Sequence, residues 1–263
     1  MSDRPHTRIL AVANQKGGVG KTTTAINLGA SLAEAGRRVL VMDLDPQGNA
    51  STGLGVDPAA RDLTTYDLIL DGVPLSEIVL PTSVERLEIA PATTDLSSAD
   101  VELVSHEKRV FLLKDALAQD GLAHWDYVLI DCPPSLNLLT INAMVAAHAV
   151  LVPLQAEFYA LEGLSQLMRT LREVRQTANP GLRIEGVVLT MYDKRNNLCQ
   201  QVEQDARETL GDLVFRTRVP RNVRLSEAPS YAIPILQYDS GSLGSMAYRN
   251  LAREMLNRQL SHA

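Results

Sequence analysis

Two lysines bracket a glycine-rich turn in Lys16-Gly-Gly-Val-Gly-Lys-Thr-Thr23, directly after the apolar run Ile9-Leu-Ala-Val-Ala13. The chemistry of such a turn is phosphate binding. Glycines let the backbone fold tightly enough for its N–H groups to converge on phosphate oxygens, and a helix beginning there adds the positive end of its dipole. Gly17, Gly18 and Gly20 fill that role, with Val19 between them and Thr23 closing the motif. Lys21 is spaced to reach the β- and γ-phosphates of a nucleotide such as ATP, and the Thr22 hydroxyl to hold Mg²⁺. Lys16 is surplus to that set, a second cation at the front of the loop.

Carboxylates suited to the same chemistry follow at two places. In Asp43-Leu-Asp-Pro-Gln-Gly48 an apolar run delivers Asp43 and Asp45 to one side of an extended chain. Asp43 is expected to touch the Mg²⁺ shell through a water. Asp45, further out, is assigned to orient or deprotonate the water that attacks the γ-phosphate. The competing reading of Asp45 is a helix cap, since Asp before Pro is also a turn signal. The second place is the apolar run Tyr127-Val-Leu-Ile-Asp131 before Cys132-Pro-Pro-Ser135, which delivers one carboxylate, Asp131, expected to hold Mg²⁺ through a water.

Arg216, Arg218, Arg221 and Arg224 fall within nine residues that contain no acid, and Arg195 lies in Asp193-Lys-Arg-Asn-Asn197 after another apolar run. Guanidinium groups so spaced suit phosphate contacts where the two loops are neighbours. The bland alternative is solvated surface charge. The 263 residues carry a net charge of −6, but unevenly: net −8 up to residue 182 and net +2 over 183–263. An anionic partner other than nucleotide should therefore meet the C-terminal third.

These groups need elements to hold them, and the patterning supplies an alternation of strands and helices. Strands are expected at Ile9–Ala13, Val39–Asp43, Leu87–Ala90, Tyr127–Asp131, Ala149–Val152, Ile184–Met191 and near Val214–Val219. Between them, Thr22–Ala35, Val101–Gln119, Leu136–Ala147, Leu161–Thr177, Leu198–Leu210 and Ser242–Leu260 carry helical spacing, with Gly36, Gly121 and Gly211 where C-terminal caps belong. This predicts an α/β fold: a mostly parallel twisted sheet with helices on both faces, in one domain over 1–263. Gly48–Pro81 should hold a small helical insertion. Val219–Pro229 lacks apolar spacing and is expected to be a ligand-facing loop at the sheet edge. With 45% hydrophobic and 21% charged residues, no apolar run of membrane-spanning length and no secretory leader pattern, the expected location is the cytoplasm. Cys132 and Cys199 are too few for a zinc site and are expected to be core thiols.

Five ordered segments together resemble the ParA/Soj chromosome- and plasmid-partitioning ATPases of the deviant Walker A (MinD/ParA) class of P-loop proteins. They are Asn14–Thr24, Asp43–Asn49, Leu129–Ser135, Glu157–Leu164 and Pro220–Pro229. The resemblance implies an ATP-dependent homodimer in which Lys16 crosses to the phosphates of the partner's nucleotide, with hydrolysis undoing the dimer. It also implies that the ATP dimer binds double-stranded DNA without sequence preference, on the nucleoid. Arg195 and Arg224 stand where the family carries DNA-contacting arginines, with Arg221 beside them, and Pro220 and Asn222 stand where it contacts adenine. A ParB-type centromere-binding partner is implied as the stimulator of hydrolysis. The first strand begins at Ile9, so the additional N-terminal helix-turn-helix domain of longer plasmid relatives is not expected.

Two rivals make different demands. A MinD-like membrane-associated positioning ATPase needs a basic amphipathic tail; Leu251, Met255 and Leu256 are at helical spacing, but without Phe or Trp and with little net charge they are expected to pack on the sheet, and no membrane partner is expected. A P-loop reductase with an iron–sulfur cluster between subunits needs two well-placed cysteines, which Cys132 and Cys199 do not provide.

Overall fold

In the computed structural model, which describes residues 7–119, 121–158 and 160–260, eight strands form one sheet. They are β1 (Arg8–Val12), β2 (Val39–Asp43), β3 (Leu80–Pro81), β4 (Leu87–Ala90), β5 (Tyr127–Asp131), β6 (Ala149–Gln155), β7 (Arg183–Tyr192) and β8 (Val214–Pro220). Their spatial order is β3-β4-β2-β5-β1-β6-β7-β8. Every neighbouring pair is parallel except β3 with β4, the short antiparallel edge that the patterning did not predict. A two-residue strand carries no period-2 signal.

The central strands are apolar throughout because both faces are covered. Ile9 and Ala11 of β1 and Leu40 and Met42 of β2 join one core, while Leu10, Val12, Val39 and Val41 join the other. The first face is covered by α4 (Leu96–Ser105), α5 (Leu112–Gln119), α6 (Leu138–Ala146), α7 (Ala160–Thr177) and α8 (Asn197–Leu210). The second is covered chiefly by α1 (Lys21–Glu34) and α11 (Leu243–Leu260). Tyr248, Leu251 and Met255 of α11 are buried there, as expected of a tail helix that packs on the sheet. Cys132 and Cys199 are buried thiols that donate to the carbonyls of Ile130 and Ala156.

Two expectations need correction. The single helix read over Val101–Gln119 is two helices, α4 and α5, with a break after Ser105. The buried Asn142 of α6 captures the opened backbone: its amide donates to the carbonyl of Arg109 at 2.7 Å and its oxygen accepts from Leu113 N at 3.2 Å. A side chain 29 residues downstream thus ends a helix that local spacing would continue. Likewise Val219–Pro229 is not an open loop. Asn222 caps a short helix, α9 (Val223–Glu227), and a 3₁₀ turn follows at Ala228–Tyr231. The predicted insertion consists of α2 (Asn49–Gly53), a π-helical turn at Asp67–Asp71 and α3 (Leu75–Ile78), with α10 (Ile235–Tyr238) the remaining short helix.

The outer edge at β8 is closed by a side chain. Glu254 of α11 accepts from the amides of Arg216 and Thr217 at 2.7 and 2.9 Å and from the Thr217 hydroxyl at 2.7 Å, blocking the donors that would otherwise recruit another strand.

At the amino edge, Arg38 and Asp126 tie the starts of β2 and β5. Asp126 accepts from the Arg38 amide and guanidinium, both at 2.8 Å, and those bonds hold its carboxyl below the usual range. A lowered folded-state pKa adds stability above the unfolded value that is lost as pH falls. Asp126→Asn should therefore cost about 1 kcal/mol at pH 7 in urea unfolding. The difference from the parent should shrink as pH is lowered from about 4.

Candidate functional site

The loop after β1 is braced by three distant elements. Asn14, buried, donates to the carbonyl of Pro153 in β6 at 2.7 Å and accepts from Lys16 N at 3.1 Å. Thr190 of β7 donates to the carbonyl of Val19 at 2.8 Å, and Thr24 of α1 meets the Tyr248 hydroxyl of α11 at 3.2 Å. Gly18 and Gly20 have φ of +74° and +86°, which side-chain-bearing residues rarely adopt, and Gly20 is the N-cap of α1. The amides of residues 17–23 and the start of a 14-residue helix therefore converge on one space, the arrangement that binds phosphate. Lys21 is buried and turns back onto the loop, donating to the carbonyl of Lys16 at 3.0 Å. Burial lowers its pKa, opposed by the charges of Asp131 and Asp45.

The three carboxylates come together beside this loop. Asp131 at the end of β5 is in register with Asp43 on β2 and with Val12, the last residue of β1, so the sheet sets the loop and both carboxylates at one level. Asp43 accepts from Ser51 N at 2.9 Å, from the Ser51 hydroxyl at 2.7 Å and from Asp45 N at 3.1 Å; burial nevertheless pushes its pKa up to about 6. Both oxygens of Asp131 are buried without a hydrogen-bond partner. Its carboxyl is raised well above the ordinary value by burial and then by the charge of Asp43, with the nearby Thr22 hydroxyl opposing. An orphaned buried carboxylate needs a counter-charge. The donor set beside it fits Mg²⁺, which keeps several waters and takes one or two carboxylates together with substrate phosphates. Among the described residues no group of three or more His, Cys, Asp or Glu could form an all-protein cage.

Asp45 is not a helix cap. It closes a turn, accepting from Gln47 N at 2.9 Å, while Gly48 caps α2. Lys16, by contrast with Lys21, is at the rim: its side chain is 43% exposed and its ammonium is ion-paired with Glu157 just beyond β6.

The arginines split into two groups. Arg195, Arg216, Arg218 and Arg221 line one open groove of about 810 Å³ with Lys194 and Pro220, so the two loops are neighbours. Arg224 pairs with Glu227 at 2.9 Å and with Asp239 at 3.5 Å. Arg195 pairs with Asp193 and Arg218 with Glu203, whereas Arg216 and Arg221 make no ion pair among the described residues. Asn222 spends its side-chain oxygen on the cap of α9, accepting from Arg224 N at 2.9 Å.

Ser51, Asn14, Thr190 and Glu157 were not singled out from sequence. Their bonds to the site span from 2 residues for Asn14 to 171 for Thr190, and Ser, Asn and Thr have no signature apart from their partners. Asn14 and Glu157 lay in quoted segments without a role assigned to them.

Asp131→Asn tests the burial penalty directly. A raised folded-state pKa means that ionisation subtracts stability as pH rises through it. The variant should melt about 2–6 °C higher than the parent at pH 7 without nucleotide, the gain shrinking at lower pH. It should lose the further rise that Mg²⁺ with ADP gives the parent. Thermal melts with and without Mg²⁺ and ADP measure both.

With this geometry established, known proteins can be set beside it. Residues 7–184 match a family described as an AAA domain. The chain is 55% identical over 260 residues to chromosome partitioning protein ParA of Caulobacter vibrioides, covering 98% of this chain and 97% of that one. It is 51% identical over 248 residues to sporulation initiation inhibitor protein Soj of Bacillus subtilis, covering 94% and 98%. A solved structure of cobyrinic acid a,c-diamide synthase from Mycobacterium smegmatis, with bound ADP and magnesium, superposes with a TM-score of 0.84 at 40% identity, covering 98% and 97%. The phosphate loop with its extra lysine, the carboxylates at the ends of β2 and β5 and this near full-length identity lead to one conclusion: the chain belongs to the ParA/Soj family of chromosome-partitioning P-loop ATPases.

Proposed function

We propose that this chain is a DNA-segregation ATPase whose ATP-bound homodimer holds DNA without sequence preference and releases it when a ParB-type partner stimulates hydrolysis. ATP and Mg²⁺ are its substrate and cofactor. The observation that carries the reading is the contrast between the two lysines. Lys21 is buried against the site's carboxylates, as a lysine serving its own subunit's nucleotide should be. Lys16 stands exposed at the rim, held only by Glu157, where a second subunit's nucleotide can meet it.

In this reading the amides of residues 17–23 bind and orient the phosphates, and Lys21 leaves the Lys16 carbonyl for a phosphate oxygen. Thr22 directly, and Asp131 and Asp43 through water, would hold Mg²⁺, which when bound neutralises charge on the β- and γ-oxygens. Asp45 orients the attacking water and accepts its proton. Lys16 of each subunit places a cation on the other's phosphates, the lysine counterpart of an arginine finger. Pro220 and Asn222 flank the adenine. The DNA phosphates meet Arg195, Arg221 and Arg224.

A membrane-positioning role lacks support in α11, whose apolar residues Tyr248, Leu251 and Met255 are buried against β8 and α1. No helix among the described residues is long and apolar enough to cross a membrane.

Mobility shift on duplexes of unrelated sequence is the test. Retention is expected with ATP and a non-hydrolysable analogue and not with ADP; equal retention in all states, or none, overturns the proposal. Lys16→Ala should abolish the ATP-dependent dimer in sedimentation while nucleotide affinity stays within about threefold. Arg221→Glu should weaken binding to every duplex and reduce the salt slope by about one.

A further inference from the structure

Arg61 is a buried arginine that bonds to no carboxylate among the described residues, although the charges of Asp43 and Asp57 act on it from further off. Its guanidinium instead gathers four neutral acceptors. Nη1 donates to the carbonyls of Gly48 at 3.4 Å and Ala92 at 3.0 Å; Nη2 donates to the Thr52 hydroxyl and the Val56 carbonyl, both at 2.8 Å. Nε is buried without a partner. Placing a full charge among neutral groups costs stability. A planar fork of five donors is, however, what one side chain needs to hold several segments at once.

Those segments frame the Asp45 turn. Gly48, where the turn ends, donates its amide to the carbonyl of Asp45 at 2.9 Å. The guanidinium lies so close over Gly48 that an added Cβ would stand 2.4 Å from Nη1. At the other end, Asp45 N is held by Asp43. A third tie closes the circuit, since the Ser51 hydroxyl donates to Asp43 and accepts from the amide of Ala92, whose carbonyl takes Arg61. With Asp43 at one end and Arg61 at the other, the four-residue turn has little freedom.

We propose that Arg61 is a positioning residue for ATP hydrolysis: clamped over Gly48, it fixes the Asp45–Gly48 turn so that the Asp45 carboxylate is aimed at the attacking water. This rests on the reading of Asp45 as the water-orienting group. Buried and bonded to Gly48, Thr52, Val56 and Ala92, Arg61 acts through the turn, so its loss should lower turnover and leave binding intact.

The experiment compares Arg61→Gln, Arg61→Lys, Gly48→Ala, Asp45→Ala and the double variant D45A/R61Q in the full chain. Steady-state ATP hydrolysis, affinity for a fluorescent ATP analogue and thermal melting are measured for each. Arg61→Gln should lose about 10–100-fold in kcat, with analogue affinity within about threefold. Arg61→Lys, which keeps the charge and part of the donor set, should recover part of the rate. Gly48→Ala, whose Cβ would crowd both Nη1 and the Ala92 carbonyl on a backbone at φ +60°, disturbs the turn itself and should also lower kcat, while Arg61→Lys serves where Arg61→Gln melts too low to assay. On the Asp45→Ala background, adding Arg61→Gln should change turnover by less than about twofold. Parental kcat in Arg61→Gln, equal loss of kcat and affinity, or a further large loss on the Asp45→Ala background overturns the role of Arg61. Parental turnover in Asp45→Ala alone overturns instead the reading of Asp45.

Discussion

Two carboxylates at the ends of adjacent parallel strands, level with each other and shut off from water, are the constraint around which this molecule is arranged. Asp43 and Asp131 are both fully buried, and Asp131 has no hydrogen bond to either oxygen. An apolar core gains nothing from such a pair, and removing each ion from water costs several kcal/mol. The raised pKa of both groups is the same fact in other terms: burial favours the neutral acid, and a cation brought in with phosphates favours the ion. The sheet register makes the arrangement rigid. In a parallel sheet, aligning Val12, Asp131 and Asp43 also aligns the start of the phosphate loop with the groups that face it.

What the sequence disclosed and what it withheld divide along the range of the interactions. Strands β2, β4 and β5 coincide with the expected spans to the residue, because buried parallel strands are apolar runs cut off sharply by turns. The glycine turn and the three aspartates, which the fold brings together, were equally visible, since they are residue types at fixed spacing. The break between α4 and α5 was not, because it is imposed by Asn142 from another helix. The cap of α9 was missed although its residue, Asn222, is a strong N-cap type. There the adjoining prolines and arginines suggested an open loop, and the short helix that forms is too brief to show a period. The braces of the site were hidden for the same reason as the break: Ser51, Thr190 and Arg61 are ordinary residues until the fold brings their partners.

Under the proposed function, the two lysines of one motif serve two directions. Burial decides the difference. Lys21 has lost water and sits among the negative charges of Asp131 and Asp45, so its ammonium is committed to this subunit's site. Lys16 keeps much of its hydration, and its pairing with Glu157 is a half-exposed contact of the kind worth about 1 kcal/mol or less. That is enough to park the side chain and too little to prevent its transfer to a polyphosphate, whose charge is greater than that of one carboxylate. Under the proposed function, the exchange of Glu157 for a partner's phosphates links nucleotide occupancy to assembly.

The arginine groove follows the same logic with the opposite sign of restraint. Spacing alone made Arg216, Arg218, Arg221 and Arg224 look equivalent, yet Glu203, remote in sequence, neutralises Arg218, and Arg224 is neutralised by Glu227 three residues on, with Asp239 further off. Asp193 neutralises Arg195, and the neighbouring charge of Arg221 helps hold that carboxyl down to about 2. A phosphate approaching a paired arginine also approaches its carboxylate, so each such contact yields less than a free guanidinium would. Under the proposed function, one copy of this face then offers Arg216 and Arg221 as its unpaired guanidinium groups, and the paired arginines add less. Two copies fixed in a dimer multiply the occupancy through effective concentration and add no new contact. Under the proposed function, partial neutralisation is what allows dimerisation, and not the mere presence of arginines, to decide when DNA is held.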